Sequence, residues 1–271
     1  MKLEQIRKNW IAPECKDIQA GIQMWDSASS DYRKSPIPDW ETDDFLKLVN
    51  DSMEISKDMK ALDIGCGAGL YTIAFAGKVN KVVGIDFSPS MIRIAKEKTK
   101  DNNSQNVEFL RKDWSAFDIE KANFKNAFDI VFAHMSPAIC SAATLEKLIA
   151  CSKKHCFFIK PTIRNGSIFN EVERLAGSRQ NANGCDESIS YAFGLIWQLG
   201  YKPLVSYHDE IWNFEKSLEE AYTWYLGRVR TYKKLTESEE TKLKEYLDSI
   251  AVDGRIKEAI TTTIASMYWQ I

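Results

Sequence analysis

Asp63 stands two residues ahead of Gly65, and glycines recur at 67 and 69 within ALDIGCGAGL. An apolar run thus ends in an acid, and a turn follows in which every second side chain is missing. Glycine is needed where φ is positive or where a ligand touches the main chain. A glycine-rich turn between a strand and a helix also aims the helix N-terminus outward. A second acid, Asp86, closes KVVGID at the tip of the next strand, where a carboxylate can accept two hydrogen bonds from a ribose diol. A third, Asp113 in RKDW, follows the strand NVEFL. It could accept from an adenine amino group, with Trp114 or Phe87 flanking the base, or it could cap the turn before WSAF.

Two ligand classes use such a turn. The dinucleotide pattern G-x-G-x-x-G requires glycine at position 70, where Leu70 stands. Charge separates the classes as well. A carboxylate at position 63 repels a pyrophosphate, at a cost that grows as water is excluded, and attracts a ligand carrying an ammonium and a sulfonium. Asp86 suits either class. An NAD(P)-dependent reductase is therefore disfavoured by Asp63 and Leu70. Cys66, between the first two glycines, is read as a small turn residue rather than a nucleophile.

On these residues the chain resembles the class I S-adenosylmethionine-dependent methyltransferases. DIGCGAG (63–69) matches their D-x-G-x-G-x-G motif, VVGIDFSPSMI the second-strand acid and its helix, RKDW the adenine-side motif, and FDIVFAHMSPAI the fourth-strand segment. The resemblance is strong over about residues 57–160. It implies a Rossmann-like seven-stranded, mostly parallel sheet with an antiparallel last strand and helices on both faces. It implies S-adenosylmethionine as cofactor and S-adenosylhomocysteine as product. Asp63 and Gly65 would lie near the methionyl ammonium, and Gly67 and Gly69 would permit close approach. Asp86 would hold the ribose, Phe87 and Met91 would pack near the adenine, and Asp113 would face its amino group. Cys66, Trp114 and His134 complete the expected cofactor surround.

The elements that must position these residues are legible in outline. MKALDI, KVVGID, NVEFLR, FDIVFA and HCFFIK alternate with amphipathic stretches, a pattern of right-handed crossovers and a parallel sheet. Leu70, Ile73, Ala74 and Gly77 fall at helical spacing. Ser88-Pro89 starts the next helix with an N-cap and a proline at the first turn. Region 164–188 reads as a broken helix and loop, and KPLVSYHDEI as a further strand. Ser217 with Glu220, and Thr236 with Glu239, make capping boxes opening two helices. TTTIASMYWQI is β-rich and is the candidate antiparallel strand. One methyltransferase domain over 1–271 is expected, with an N-terminal helical cap (1–57), a core (58–212), a helical insertion (213–258) and a final strand (259–271).

The acceptor side is less marked. Methyl transfer from a sulfonium by direct in-line displacement depends on alignment, and a base helps only where the acceptor must lose a proton. His134 is the candidate base, because imidazole titrates near neutrality; the alternative is a packed histidine orienting a loop. Ser136-Pro137-Ala138 departs from the N-P-P-aromatic pattern of methyltransferases acting on planar nitrogens. YHDEIW offers His208, Asp209, Glu210 and Trp212, either to the acceptor or as a solvated strand end. MWDSASSDY resembles a lid helix, with Trp25 and Tyr32 as lid residues, or is an ordinary amphipathic helix. Cys151, His155 and Cys156 have metal-ligand chemistry but span a helix end and a strand start, where a zinc site is hard to close, so no metal is expected.

Composition bounds the rest. The 271 residues carry 36 Lys+Arg against 38 Asp+Glu, a formal charge of −2. No basic run marks a nucleic-acid footprint, because RVRTYKK runs into TESEE. The polar start MKLEQIRKNW is not a signal peptide, and no apolar run approaches a membrane span, so a cytoplasmic protein without membrane or nucleic-acid partners is expected. The six cysteines are scattered and read as free thiols. The leading reading is a small-molecule methyltransferase, monomer or homodimer. The alternatives are an RNA or protein methyltransferase and a non-catalytic S-adenosylmethionine sensor.

Overall fold

The computed structural model describes residues 1–12, 17–177 and 186–271; Cys15, Cys185 and the middle of the polar region lie outside them. Its sheet contains β1 (Lys60–Ile64), β2 (Lys81–Asp86), β3 (Val107–Arg111), β4 (Phe128–His134), β5 (Ser152–Asn165), β6 (Leu204–Ser217) and β7 (Arg255–Gln270). The order is β3-β2-β1-β4-β5-β7-β6, and β7 alone runs antiparallel to its neighbours. This is the expected architecture. The chain leaves β1 toward β2 and later returns to place β4 on the other side of β1. That reversal opens a crevice at the carboxyl ends of β1 and β4, where open α/β sheets bind ligands.

The inner strands read as continuous apolar runs because both faces are covered. On one face α1 (Leu3–Asn9), α6 (Ala142–Cys151) and α8 (Ser188–Gln198) pack around Ile64, Val131, Phe158 and Trp269. On the other, α3 (Asp44–Ser52) and α4 (Leu70–Ala76) bury Phe45, Phe75, Phe132 and Phe157. α5 (Pro89–Asp101) begins as its sequence dictates: Ser88 Oγ accepts from Met91 N at 3.1 Å.

The far side of the sheet differs from the sequence boundaries. β6 and β7 continue well past the rest of the sheet and pair from Leu204↔Tyr268 to Ser217↔Arg255. The final strand therefore starts at Arg255 rather than 259, and the insertion narrows to α9 (Leu218–Arg230) and α10 (Glu237–Ile250). Both expected capping boxes are present. With α7 (Ser167–Leu175), these helices bury a third core around Val172, Leu226, Leu243 and Ile256. Buried Glu258 ties the parts together, accepting Phe169 N at 2.8 Å and Tyr225 OH at 2.5 Å.

α2 (Ile18–Lys34) lies against α5 on one side and α9 on the other. Asp17 caps it by accepting Ala20 N at 3.0 Å.

Candidate functional site

The three turn glycines all have positive φ, 74°, 52° and 76°, but they serve different ends. A Cβ on Gly65 would stand 1.7 Å from Ser136 Oγ, because the turn after β1 abuts the turn after β4. A Cβ on Gly69 would meet Phe109 at 2.7 Å and Ala95 at 2.9 Å. That glycine lets α4 close on its neighbours. Only a Cβ on Gly67 would meet nothing within 4 Å. Gly67 is the position where open space reaches the main chain.

The turn's amides are largely spent internally. Gly65 N and Cys66 N both donate to Ile85 O (2.7 and 3.0 Å), and Gly69 N donates to Cys66 O at 2.9 Å. Gly67 N donates to Asp86 Oδ2 at 2.9 Å, and Ser88 N to Asp86 Oδ1 at 2.8 Å. A phosphate-binding turn needs such N–H groups free. This one presents carboxylates instead.

Asp63, on the β1 face toward α4, is 2 % exposed. Its Oδ2 accepts Thr72 Oγ1 at 2.6 Å, and no cation pairs with it among the described residues. Burial pushes its pKa up to about 7, against the pull of Thr72 and reinforced by the charge of Asp86. Asp86 rises to about 6, again chiefly by burial, opposed by its bonds to the Ser88 and Gly67 amides. Two carboxyls are thus held in a dry corner with less counter-charge than they need. Cys66 is no nucleophile: burial, then the charges of Asp63 and Asp86, push its thiol well above the ordinary range.

Around this corner the structure sorts the remaining candidates. Met91 is buried with Ala68 and Ile94, and Trp25 and Tyr32 of α2 pack on the same cluster. Phe87 lies under Gly21 of α2, 3.7 Å from the position of a Cβ there. Asp113 is turned to its own loop, accepting Ser115 N at 2.9 Å and Ser115 Oγ at 2.7 Å. Trp114 does not flank a ligand: it is 2 % exposed, stacks on Phe117, and donates its indole N–H to Thr144 O at 3.1 Å. The apolar bulk that made it a ring-stacking candidate draws it into the core.

His134 ends β4 with its ring 4.0 Å from Tyr71 and 4.9 Å from Phe45, centre to centre. Burial, then nearby His208, lowers its pKa to about 3. Such an imidazole is neutral at physiological pH, and its ring packs against Tyr71 and Phe45. His208 shares a sheet face with Glu210 and Trp212. Glu210 receives His208 Nε2 at 3.2 Å and Trp212 Nε1 at 2.7 Å. The metal-like trio is divided: Cys151 and Cys156 are buried free thiols, and His155 Nδ1 is 3.0 Å from Tyr268 OH. Among the described residues no group of His, Cys, Asp or Glu could hold a metal ion. No described helix is long and apolar enough to cross a membrane.

Several residues escaped the sequence reading. Asp26 of α2 accepts Ser88 Oγ at 2.5 Å, fastening the helix to the first turn of α5. Its signal was its place beside Trp25. Met135 adopts φ 54°, a left-handed conformation unusual for a non-glycine residue, where β4 meets the crevice. Arg164 on β5 and Arg228 on α9 have enclosed Nε atoms, and nothing in their sequence context marked them.

Residues 55–209 match a protein-family profile described as "Methyltransferase domain". A demethylmenaquinone methyltransferase of Staphylococcus aureus (strain MRSA252) is 40 % identical over 88 residues, 31 % of this chain and 34 % of that protein. The chain thus spans about a third of the length of this curated relative. A crystal structure of an S-adenosylmethionine-dependent methyltransferase from Geobacter sulfurreducens with S-adenosylhomocysteine superposes with TM-score 0.50 at 12 % identity, covering 90 % of this chain and 96 % of that one. The [4+2]-cyclase SpnF superposes with TM-score 0.54 at 16 % identity, over 96 % and 97 %. At these identities the superpositions establish a shared fold.

Proposed function

From the premise that this chain belongs to the methyltransferase-domain family, matched over more than half its length, we propose that it transfers a methyl group from S-adenosylmethionine to a small-molecule acceptor. The observation that carries this reading is Asp63, a buried carboxyl at the crevice without a cationic partner among the described residues. A positively charged ligand head satisfies it, and a diphosphate would not. The spent amides of the turn favour the same ligand. So do the family match and the S-adenosylhomocysteine-bound relative in fold.

In this reading Asp63 faces the ammonium side of the ligand, and Gly67 leaves room for it against the main chain. Asp86 accepts from the ribose hydroxyls while keeping its two backbone bonds on its remaining lone pairs. Phe87 and Met91 line the base, and α2, with Trp25 and Tyr32, covers the site and excludes water. Bound there, S-adenosylmethionine supplies an electrophilic methyl on a sulfonium. The chain's own contribution is alignment of the acceptor with that methyl, worth several orders of magnitude in rate. His134 and Tyr71 shape the wall beside β4 without moving a proton. The small-molecule class draws support from the near balance of charge and from the partial likeness to demethylmenaquinone methyltransferases.

Calorimetric titration with S-adenosylhomocysteine tests the reading. Wild type should bind it, and Asp86→Ala should bind at least about tenfold more weakly, the loss expected for hydrogen bonds to a charged acceptor. No binding by wild type would sink the proposal. Binding without transfer of labelled methyl to any component of a metabolite extract would favour a sensor. Labelling of RNA or protein would replace the acceptor class.

A further inference from the structure

Beyond the nucleotide corner, the extended ends of β5 and β7 and the helices over them enclose a second set of unsatisfied groups. Arg164 is the penultimate residue of β5, and in register beside it on β7 is Thr262. Paired residues in a sheet point to the same face. Arg164 Nε and Thr262 Oγ1 are shut off from solvent, and neither has a hydrogen-bond partner among the described residues. Arg228 on α9 is similar: its Nε is enclosed and makes no hydrogen bond among the described residues, its ion-pair partner Glu173 Oε1 standing off at 3.8 Å. Buried polar groups are nearly always paired, so three such atoms in one region require an explanation.

The two guanidinium groups are close enough to disturb one another. Burial, then the charge of Arg228, lowers the pKa of Arg164 to about 9, so Arg164 remains charged at neutral pH; burial lowers that of Arg228 as well, against the pull of Glu173. The neighbouring acids are already engaged. Glu173 accepts Tyr232 OH at 2.6 Å, and Asp186 pairs with Lys160 at 2.7 Å. Arg228 keeps an ion pair with Glu173 Oε1 at 3.8 Å, and each arginine also lies over an aromatic ring, Arg164 over Trp212 at 5.3 Å and Arg228 over Phe169 at 4.5 Å. Stacking holds a guanidinium by its face and leaves its edge donors for a planar or tetrahedral oxyanion. The place is also right. Burial, then the charges of Asp31 and Asp86, raise the pKa of Tyr32 on α2, and the charge of Arg164 opposes them, so this phenol lies within the field of both the acid and the arginine.

We infer that Arg164 and Arg228, with Thr262 beside them, form an anion-recognition subsite for the methyl acceptor, which therefore carries a carboxylate or a phosphate group. Its assignment to the acceptor rests on the methyl-transfer reading; the anion site itself does not. The probes are inorganic phosphate and benzoate, with benzamide as the uncharged counterpart of benzoate, titrated calorimetrically into the full chain saturated with S-adenosylhomocysteine. At least one anion should bind about tenfold more tightly than benzamide, and the tighter of the two identifies the anionic group. Arg164→Gln and Arg228→Gln should each weaken that anion about tenfold while holding S-adenosylhomocysteine within about twofold. A structural arginine would be missed on removal, whereas an uncompensated buried charge would not. Ligand-free Arg164→Met should therefore melt no lower than wild type, and phosphate or benzoate should raise the melting temperature of wild type only. Equal binding of anions and benzamide, or anion affinity unchanged by Arg164→Gln, would overturn the inference. If S-adenosylhomocysteine fails to bind, the same titrations without it decide the anion site alone, and only the methyl-transfer reading falls.

Discussion

Asp63 shows how a single residue can be costly to the empty protein and useful to the loaded one. Its pKa is raised by burial to about 7, above its value in the unfolded chain. The folded state therefore binds the proton more tightly, and the stability this confers is complete below about pH 4 and lost as pH rises through 7. Asp86, raised to about 6, acts in the same direction over a narrower window. Ligand-free Asp63→Asn should accordingly melt above wild type at pH 8, the difference closing toward pH 4; thermal melts across that range check the sign. Wild-type affinity for S-adenosylmethionine should rise between pH 5 and 7 as Asp63 ionises, and Asp63→Asn should bind weakly with a flatter profile. A variant that melts lower at pH 8 would show that the carboxylate is already compensated. The identity of Asp63 and its place before the glycines were legible in the sequence, because strand and turn fix both. The three-fold division of labour among Gly65, Gly67 and Gly69 was not, since it depends on Ser136 and Phe109, brought up from remote strands.

At the scale of elements, α2 is the least ordinary part. Trp25 packs against Tyr32 within α2 at 6.3 Å and meets Trp224 of α9 edge-on at 5.9 Å, so an aromatic contact joins α2 to α9. Asp26 joins it to α5 through Ser88 Oγ, and the acid sits at that helix's N-terminus, where negative charge is favoured. The fastening lies between two elements rather than within either. Asp26→Ala should then leave the global melting temperature nearly unchanged while speeding amide exchange in α2 and dissociation of S-adenosylhomocysteine. If exchange quickens throughout the sheet instead, Asp26 supports the whole fold and α2 is no separate lid. Local chemistry announced α5, α9 and α10 in advance, since caps and capping boxes are written in three or four adjacent residues. The fates of Trp114 and His134 were not so written. Which way a ring at a strand end turns is decided by partners such as Thr144, Phe45 and Tyr71, far along the chain.

The whole molecule joins two cores of different kinds through one sheet. β1, β2 and β4 are buried on both faces, whereas the long β6–β7 ribbon carries α9 and α10 and, with α7, builds a smaller core. β7 pairs continuously with both β5 and β6, but the smaller core has its own helices, so it can soften while the rest of the sheet stays intact. Leu243, fully buried on α10 at the centre of the smaller core, separates the two. Leu243→Ala should cost about 2–5 kcal/mol, the range for deleting a buried leucine. Because that cost falls on the cap, exchange should accelerate first in α7, α9 and α10, with amides of β1, β2 and β4 still protected. Affinity for S-adenosylhomocysteine should hold within about twofold, and anion binding at Arg228 should fall with its helix. Uniform loss of protection across all strands would instead show a single cooperative unit, in which the acceptor cap has no stability of its own to vary.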